Sequence, residues 1–316
     1  MQTIALDIHA HIAPVVPGLA ELPGVDWQPD KPSLSFAEGG ALAAPSVFRP
    51  EALLAWMDKH RVQRAWISAP PPLYRLGLDE AATAQWVGYL NPALAAVAFG
   101  HDRLAPVFHL PVQHPALATE IVGRIAAEHP DHVRFAMAAG SARHGFSISS
   151  PAFEPLWAAL NQARGTVLLH PVSGIDPRLD AFFLHNLLGG PGETALAAAH
   201  LAMSGVLERY TAMRVILAHG GGSAAAVVGR LERGQSVRRP GAYVEGVRPA
   251  RQAFRDLYAD CITHSASMLP VVAEAFGAEH VLFGSDWPFS MGLIDPHAQM
   301  AEVEPALRAR IFAAEA

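Results

Sequence analysis

The feature that most constrains this chain is a series of eight short apolar segments spaced along its length. They are "TIALDI" (3–8), "VQRAWIS" (62–68), "LAPVFHL" (104–110), "VRFAMAA" (133–139), "TVLLH" (166–170), "RVILAH" (214–219), "LYADC" (257–261) and "HVLFGSD" (280–286). Most are almost continuously apolar, which is typical of strands covered on both faces of a parallel sheet. Amphipathic segments that begin with proline or an acidic residue separate them, as helices do. The alternation predicts an α/β fold, a (β/α)8 TIM barrel, over a doubly wound sheet, because no glycine-rich turn follows the first segment.

The composition fits one domain that spans residues 1–316. Hydrophobic residues make up 51% of the 316 residues and charged residues 16%, which suits a large buried core. Barrels of this kind reach this length as single domains.

Charge and cysteine content exclude several classes of function. Lysine and arginine number 23 against 29 acidic residues, and no basic cluster marks a nucleic-acid partner. A single cysteine, Cys261, excludes an internal disulfide framework. No segment reads as a signal peptide or a membrane span, so we expect a cytoplasmic protein without a membrane partner.

Two long segments are rich in glycine and proline. Residues 13–48 follow the first predicted strand, and residues 235–252 come after the sixth. Loops of this length are uncommon unless they serve function. We expect both to emerge at the carboxyl ends of the strands, where barrel active sites lie.

Polar side chains stand at the ends of several predicted strands. The candidates are His9, His11, His170, His219 and Asp286. The two-residue spacing of the first pair puts both imidazoles on one face of a strand. Taken singly, each residue has an ordinary explanation as a packed rim histidine or a turn aspartate. Together, three histidines and a carboxylate suit Zn²⁺ or a similar divalent ion with an open position for water.

The segment "HGGGS" (219–223) has two compatible interpretations. Its glycines would let the backbone approach a ligand, next to a helix N-terminus that favours anions. Alternatively, they form a tight turn that needs positive φ angles.

These motifs, in this order, resemble the amidohydrolase superfamily, in the branch that includes aminocarboxymuconate semialdehyde decarboxylase. The similarity runs nearly end to end through "DIHAHIAP", "RVILAHGGGS", "LYADCITHS" and "VLFGSDWPFSMG". The resemblance implies a metal ion, usually zinc and in some relatives manganese, held by His9, His11, His170 and Asp286. It implies that His219 hydrogen-bonds the metal-bound water and acts as the acid/base.

The resemblance also implies substrate contacts. Trp287 and Phe289 would wall the substrate and His264 would line the pocket, with ordinary rim packing as the alternative. Arg238 would reach into the site of a neighbouring subunit and bind the substrate carboxylate there; counting back from Pro240 instead of forward from 229–230 selects Arg239 for this role. Such a contact implies a homodimer or larger homo-oligomer. A solvated loop arginine is the alternative.

The chain also departs from that branch. The stretch "ALAAPSV" (41–47) lacks an arginine that the branch carries there. The resemblance therefore implies the metal and the base but not the identity of the substrate. The leading hypothesis is a metal-dependent decarboxylase that acts on a small aromatic or muconate-like carboxylic acid. A hydrolase or hydratase of a lactone, enol acid or amide is the alternative. A catalytically silent barrel is a third, disfavoured because all five polar groups are present.

Overall fold

The computed structural model describes residues 1–140, 145–172 and 176–316. Its strands are β1 (Ile4–His11), β2 (Val25–Gln28), β3 (Ser33–Phe36), β4 (Ala41–Leu42), β5 (Val62–Ser68), β6 (Leu104–His109), β7 (Arg134–Ala138), β8 (Thr166–His170), β9 (Arg214–Leu217), β10 (Leu257–Asp260) and β11 (Val281–Leu282). Its α-helices are α1 (Pro50–His60), α2 (Glu80–Phe99), α3 (Pro115–Glu128), α4 (Glu154–Gln162), α5 (Gly190–Met203), α6 (Val206–Arg209), α7 (Ala224–Ser236), α8 (Ala250–Ala253), α9 (Met268–Phe276), α10 (Pro296–Gln299) and α11 (Pro305–Ala313).

Eight of the strands, β1 and β5 to β11, pair in parallel in chain order. Backbone hydrogen bonds then join the two outer strands: Ile8 N donates to Phe283 O at 3.0 Å, and His11 N donates to Trp287 O at 2.8 Å. The sheet is therefore a nearly closed barrel with helices between its strands, and the predicted TIM barrel is confirmed. Each predicted segment overlaps one barrel strand, and two segments, 62–68 and 166–170, match their strands residue for residue.

An apolar core fills the space between the barrel and its helices. It is continuous from Ile4 on β1 to Phe312 on α11. In the described ranges, no helix has the length and apolar character that a bilayer crossing requires.

The segment after β1 contains a small antiparallel sheet of β2, β3 and β4, which the sequence analysis treated as irregular. Arg75 attaches this sheet to the barrel. Its side chain is 3% exposed and donates to Glu38 Oε2 at 3.0 Å. Its guanidinium carbon lies 4.7 Å from the ring centre of Phe36 and 4.9 Å from that of Trp86. The contacts of this buried cation with Glu38 and with two aromatic rings thus hold the excursion against the rim.

The expectation for residues 235–252 was wrong in one respect. This segment follows α7, which starts beyond the carboxyl end of β9 and runs back antiparallel to the strand. The segment therefore returns at the amino-terminal end of the barrel. Arg248 confirms this placement, because it pairs with Glu208 at 3.1 Å and with Asp256, just before the start of β10.

Replacing Arg75 with leucine should loosen the small sheet. The substitution removes the charge-assisted bonds to Glu38 and the cation–π contacts with two rings, and we expect the free energy of unfolding to fall by about 2 kcal/mol. Arg251→Leu is the matched control, because Arg251 pairs with Glu232 at an exposed position; its effect should stay within about 0.5 kcal/mol. Denaturant titrations measure both values, and equal effects would contradict the anchoring role.

Candidate metal centre

Five polar side chains meet at the carboxyl ends of the barrel strands. Ligand atoms of His9, His170, His219 and Asp286 all lie within 4.8 Å of one another. His11 Nε2 lies 3.1 Å from His9 Nε2 and 3.1 Å from Asp286 Oδ1. The side chain of His219 is 23% exposed, whereas the other four are buried. The structure thus brings together all five residues that the sequence placed on one rim.

Three of the histidines present the same nitrogen to the cluster. In each, Nδ1 is held by an acceptor outside it: Asp260 Oδ2 for His9 at 2.7 Å, Ser68 Oγ for His11 at 3.1 Å, and the Pro171 carbonyl for His170 at 2.8 Å. The Nε2 atom of His170 is buried and has no hydrogen-bond partner among the described residues. Such outer partners fix the tautomer that leaves Nε2 as a metal ligand.

Burial and the neighbouring charges together set the protonation states of this cluster. It lowers the pKa of His11 and takes that of His170 well below its usual value, so both rings are neutral. For Asp286, burial would raise the pKa, but the neighbouring His11 and His219 and the charge of His9 outweigh it and hold the pKa well below its usual value. Burial would lower the pKa of His9, but its hydrogen bond to Asp260 and the charge of Asp286 raise it. His11 and His170 as neutral imidazoles and Asp286 as an ionised carboxylate are in the forms that bind divalent metals.

Asp260 organises the centre from behind. Its carboxylate accepts hydrogen bonds from His9 Nδ1 and from the backbone N–H groups of His219 at 2.8 Å, Gly220 at 2.7 Å and Ile262 at 3.0 Å. Burial would raise its pKa, but these bonds and the nearby histidine charges lower it, so the carboxylate is ionised. The sequence analysis missed Asp260, although an acid at the end of "LYAD" repeats the pattern that identified Asp286.

The "HGGG" segment is a tight turn forced by packing. His219 and the three glycines after it all have positive φ angles, between 57° and 74°. A Cβ atom on Gly220 would lie 2.7 Å from Thr263 Cγ2, and one on Gly222 would lie 2.2 Å from Pro191 O. The first two amides of the turn bind the buried carboxylate described above, so the tight-turn interpretation accounts for the glycines.

A second buried carboxylate joins the first and last strands beneath the cluster. Asp7 Oδ1 accepts the backbone N–H groups of His9 and Ser285, both at 3.0 Å. Burial raises the pKa of Asp7 to about 6. Gly284 lies against the same strands, and a Cβ there would lie 2.9 Å from the Cβ atoms of both His9 and Asp260. A side chain at position 284 would therefore displace the first histidine.

A cavity of about 560 Å³ opens onto the cluster. His170, His219 and Asp286 line its inner end, and His264 and Phe289 line its walls. The ring centre of Phe289 lies 5.5 Å from that of His11. The cavity therefore joins the metal-binding groups to an aromatic wall.

Two other expected substrate residues lie elsewhere. Trp287 is buried in the apolar core and does not line this cavity. The backbone of Trp287 pairs with Ala10 of β1 in an isolated parallel bridge, so this residue contributes to closing the barrel. Arg238 is exposed beyond the end of α7 and lies 4.7 Å from the Tyr243 ring centre. Neither it nor Arg239 lines the cavity of its own chain, so a contact across a subunit boundary stays a prediction.

A neutral aromatic layer lies behind His170. His109, at the end of β6, is stacked on Tyr74 with ring centres 4.7 Å apart, and the Tyr74 ring centre is 6.5 Å from that of His170. Burial lowers the pKa of His109 to about 3, so this ring is uncharged. The layer adds no positive charge that would compete with a cation at the cluster.

Asp260→Asn should weaken metal binding without unfolding the barrel. The amide cannot accept all four hydrogen bonds, and its NH₂ group opposes the N–H of His9. We expect Zn²⁺ or Mn²⁺ to bind metal-depleted protein 10- to 100-fold more weakly, as loss of such outer partners typically does. Isothermal calorimetry measures this, with the exposed Asp256→Asn as control. Unchanged affinity in a folded Asp260→Asn protein would remove Asp260 from the account.

Comparison of the sequence with known proteins identifies a family and several relatives. The family model described as Amidohydrolase matches residues 6–314. The 2-amino-3-carboxymuconate-6-semialdehyde decarboxylase of Caenorhabditis elegans is 24% identical over 360 aligned residues, covering 95% of this chain and 89% of that protein. The gamma-resorcylate decarboxylase of Rhodococcus jostii is 26% identical over 263 residues, covering 75% of this chain and 76% of that protein.

The fold is also similar to a solved structure that contains a metal. The dihydroxybenzoic acid decarboxylase of Polaromonas sp. JS666, with bound manganese and the inhibitor 2-nitroresorcinol, superposes with a TM-score of 0.77 at 21% identity. The match covers 98% of this chain and 94% of that one. Because the family model spans nearly the whole sequence, this chain belongs to the Amidohydrolase family.

Proposed function

We propose that this protein is a metal-dependent decarboxylase of an aromatic carboxylic acid. The observation that carries the proposal is the cluster of histidine Nε2 atoms and one carboxylate at the inner end of a cavity with an aromatic wall. The relatives support it, because the similar proteins named above are decarboxylases, and two of them act on hydroxylated benzoates by name. Muconate-like acids are the alternative substrate class.

The donor set fits one divalent ion held by His9, His11, His170 and Asp286. The three histidines are the ones whose Nδ1 atoms are already held by outer acceptors, so their Nε2 atoms are free to bind. The imidazoles favour Zn²⁺, while the carboxylate and the manganese of the Polaromonas relative make Mn²⁺ the second candidate. When bound, such an ion would stabilise negative charge on a substrate oxygen.

We assign the proton transfer to His219. Its ring lines the cavity and has no hydrogen-bond partner within 3.5 Å in the described ranges, so it is free to turn toward a substrate. Its Nε2 atom lies 3.8 Å from Asp286 Oδ2, at the inner end of the cavity. Its backbone is fixed by the bond to Asp260, which limits the movement of the ring.

These positions support a two-step reaction. The protonated His219 gives its proton to the ring carbon that carries the carboxylate, forming a C–H bond. The bond between that carbon and the carboxylate then breaks, its electron pair returns to the ring, and CO₂ leaves. Phe289 packs beside this region, where it can face the substrate ring and exclude water.

The reaction type is tested by incubating hydroxybenzoates, unsaturated dicarboxylic acids, lactones and amides, each separately, with the metal-loaded protein in D₂O. We expect CO₂ from at least one aromatic acid, with one deuterium at the carbon that carried the carboxylate. Mass spectrometry and ¹H NMR measure both products. Opening of lactones or hydrolysis of amides without any CO₂ release would support the hydrolase alternative and overturn the proposal.

The roles of the histidines are separable by substitution. His170→Ala removes a ligand and should lose the metal, whereas His219→Asn should retain it and lose turnover by roughly 10²-fold or more, as loss of a general acid does. Elemental analysis and initial rates measure the two effects. Metal loss in His219→Asn, or full activity with the metal retained, would show that the role of His219 is different.

A further inference from the structure

The outer part of the cavity is lined by large apolar side chains that are unusually exposed. Phe183 is 53% exposed, Leu187 46%, Met268 39% and Met291 39%, and all four line the cavity. We call these four residues the outer apolar rim. They come from three separate segments, one before α5, one at the start of α9 and one after β11, so the rim encircles the opening rather than marking one loop.

The rim is continuous with the metal centre through one cavity. At about 560 Å³, this cavity lies in the range of sites that bury drug-sized ligands. A single-ring acid bound at the inner end would leave the rim in contact with water. Exposed apolar groups around a concave site mark a surface that a ligand covers.

The described walls of the cavity also lack fixed positive charge. Among the lining residues given by the structure there is no lysine or arginine, and the polar groups beyond the metal centre are Asn186, Thr263 and Ser290 and the imidazoles of His185 and His264. Arginine is the usual partner for a carboxylate, and among the described lining residues a second carboxylate on the substrate would find no arginine or lysine. The chemistry of the cavity therefore disfavours dicarboxylates.

We infer that the substrate is an aromatic monocarboxylate that carries an alkyl or aryl substituent, which packs against the outer apolar rim. This inference rests on the proposed function for the placement of the carboxylate at the metal centre. It makes Leu187 and Met268 specificity-determining residues, because their exposed side chains face the end of the cavity that a small ring does not reach.

Binding of unreactive acids tests the inference directly. Benzoates with 3- or 4-alkyl groups from methyl to pentyl are titrated into the metal-loaded protein by calorimetry. We expect Kd to fall by about three- to fourfold per added methylene in at least one series, the gain for burying a CH₂ group. A Kd that is independent of chain length in both series would overturn the inference.

Neighbouring leucines provide a matched pair of variants. Leu187 and Leu188 are adjacent and both exposed, but only Leu187 lines the cavity. Leu187→Asn should flatten the dependence of Kd on chain length, whereas Leu188→Asn should leave it unchanged. Met268→Gln and Val271→Asn form a second pair on α9 for the same comparison. Equal effects within each pair would overturn the assignment.

A second copy of the chain could also cover the rim, and the variants distinguish that outcome. If Leu187→Asn and Leu188→Asn both reduce the mass measured by light scattering and neither alters the chain-length dependence, the rim is a subunit interface and the inference is wrong.

Failure of the inference and failure of the proposed function give different results. Calorimetry needs no turnover, so chain-length dependence without CO₂ release from any hydroxylated acid would contradict the proposed function alone. CO₂ release from unsubstituted acids with flat binding curves would contradict the inference alone.

Discussion

The site depends most on the buried carboxylate of Asp260. It accepts hydrogen bonds from His9 Nδ1, from the first two amides of the glycine turn and from Ile262 N, and so joins β1, the turn after β9 and the end of β10. A buried charge costs free energy unless several donors satisfy it. Those donors can meet only when the strands are in their barrel register, so the same interaction stabilises the fold and orients both His9 and His219.

Much of the architecture could be predicted because the burial of a strand is visible in the residues of the strand itself. Strands covered on both faces read as almost continuous apolar segments, and each of the eight predicted segments overlaps a barrel strand. Polar residues at strand ends could also be grouped, because parallel strands place their carboxyl ends at one rim. The convergence of His9, His11, His170, His219 and Asp286 follows from that topology.

Other features depend on contacts that no local pattern records. The β2–β4 sheet consists of two- to four-residue strands held by Arg75, which lies more than thirty positions beyond them. Asp260 looked like the end of an ordinary strand, because its donors come from distant segments. The segment 235–252 lies at the opposite end of the barrel because α7 carries the chain back there, and no pattern within the segment itself indicates this. Trp287 belonged to a motif, but backbone pairing with β1 directs it into the core.

The central claim is that a cation held by the histidine and aspartate cluster is required for decarboxylation. Protein depleted of metal by a chelator should be titrated with Zn²⁺ and, separately, Mn²⁺ while CO₂ release from an aromatic acid is followed. The account predicts no release from the depleted protein and a rise with at least one ion that stops at one equivalent per chain. Full turnover by the depleted protein would contradict it.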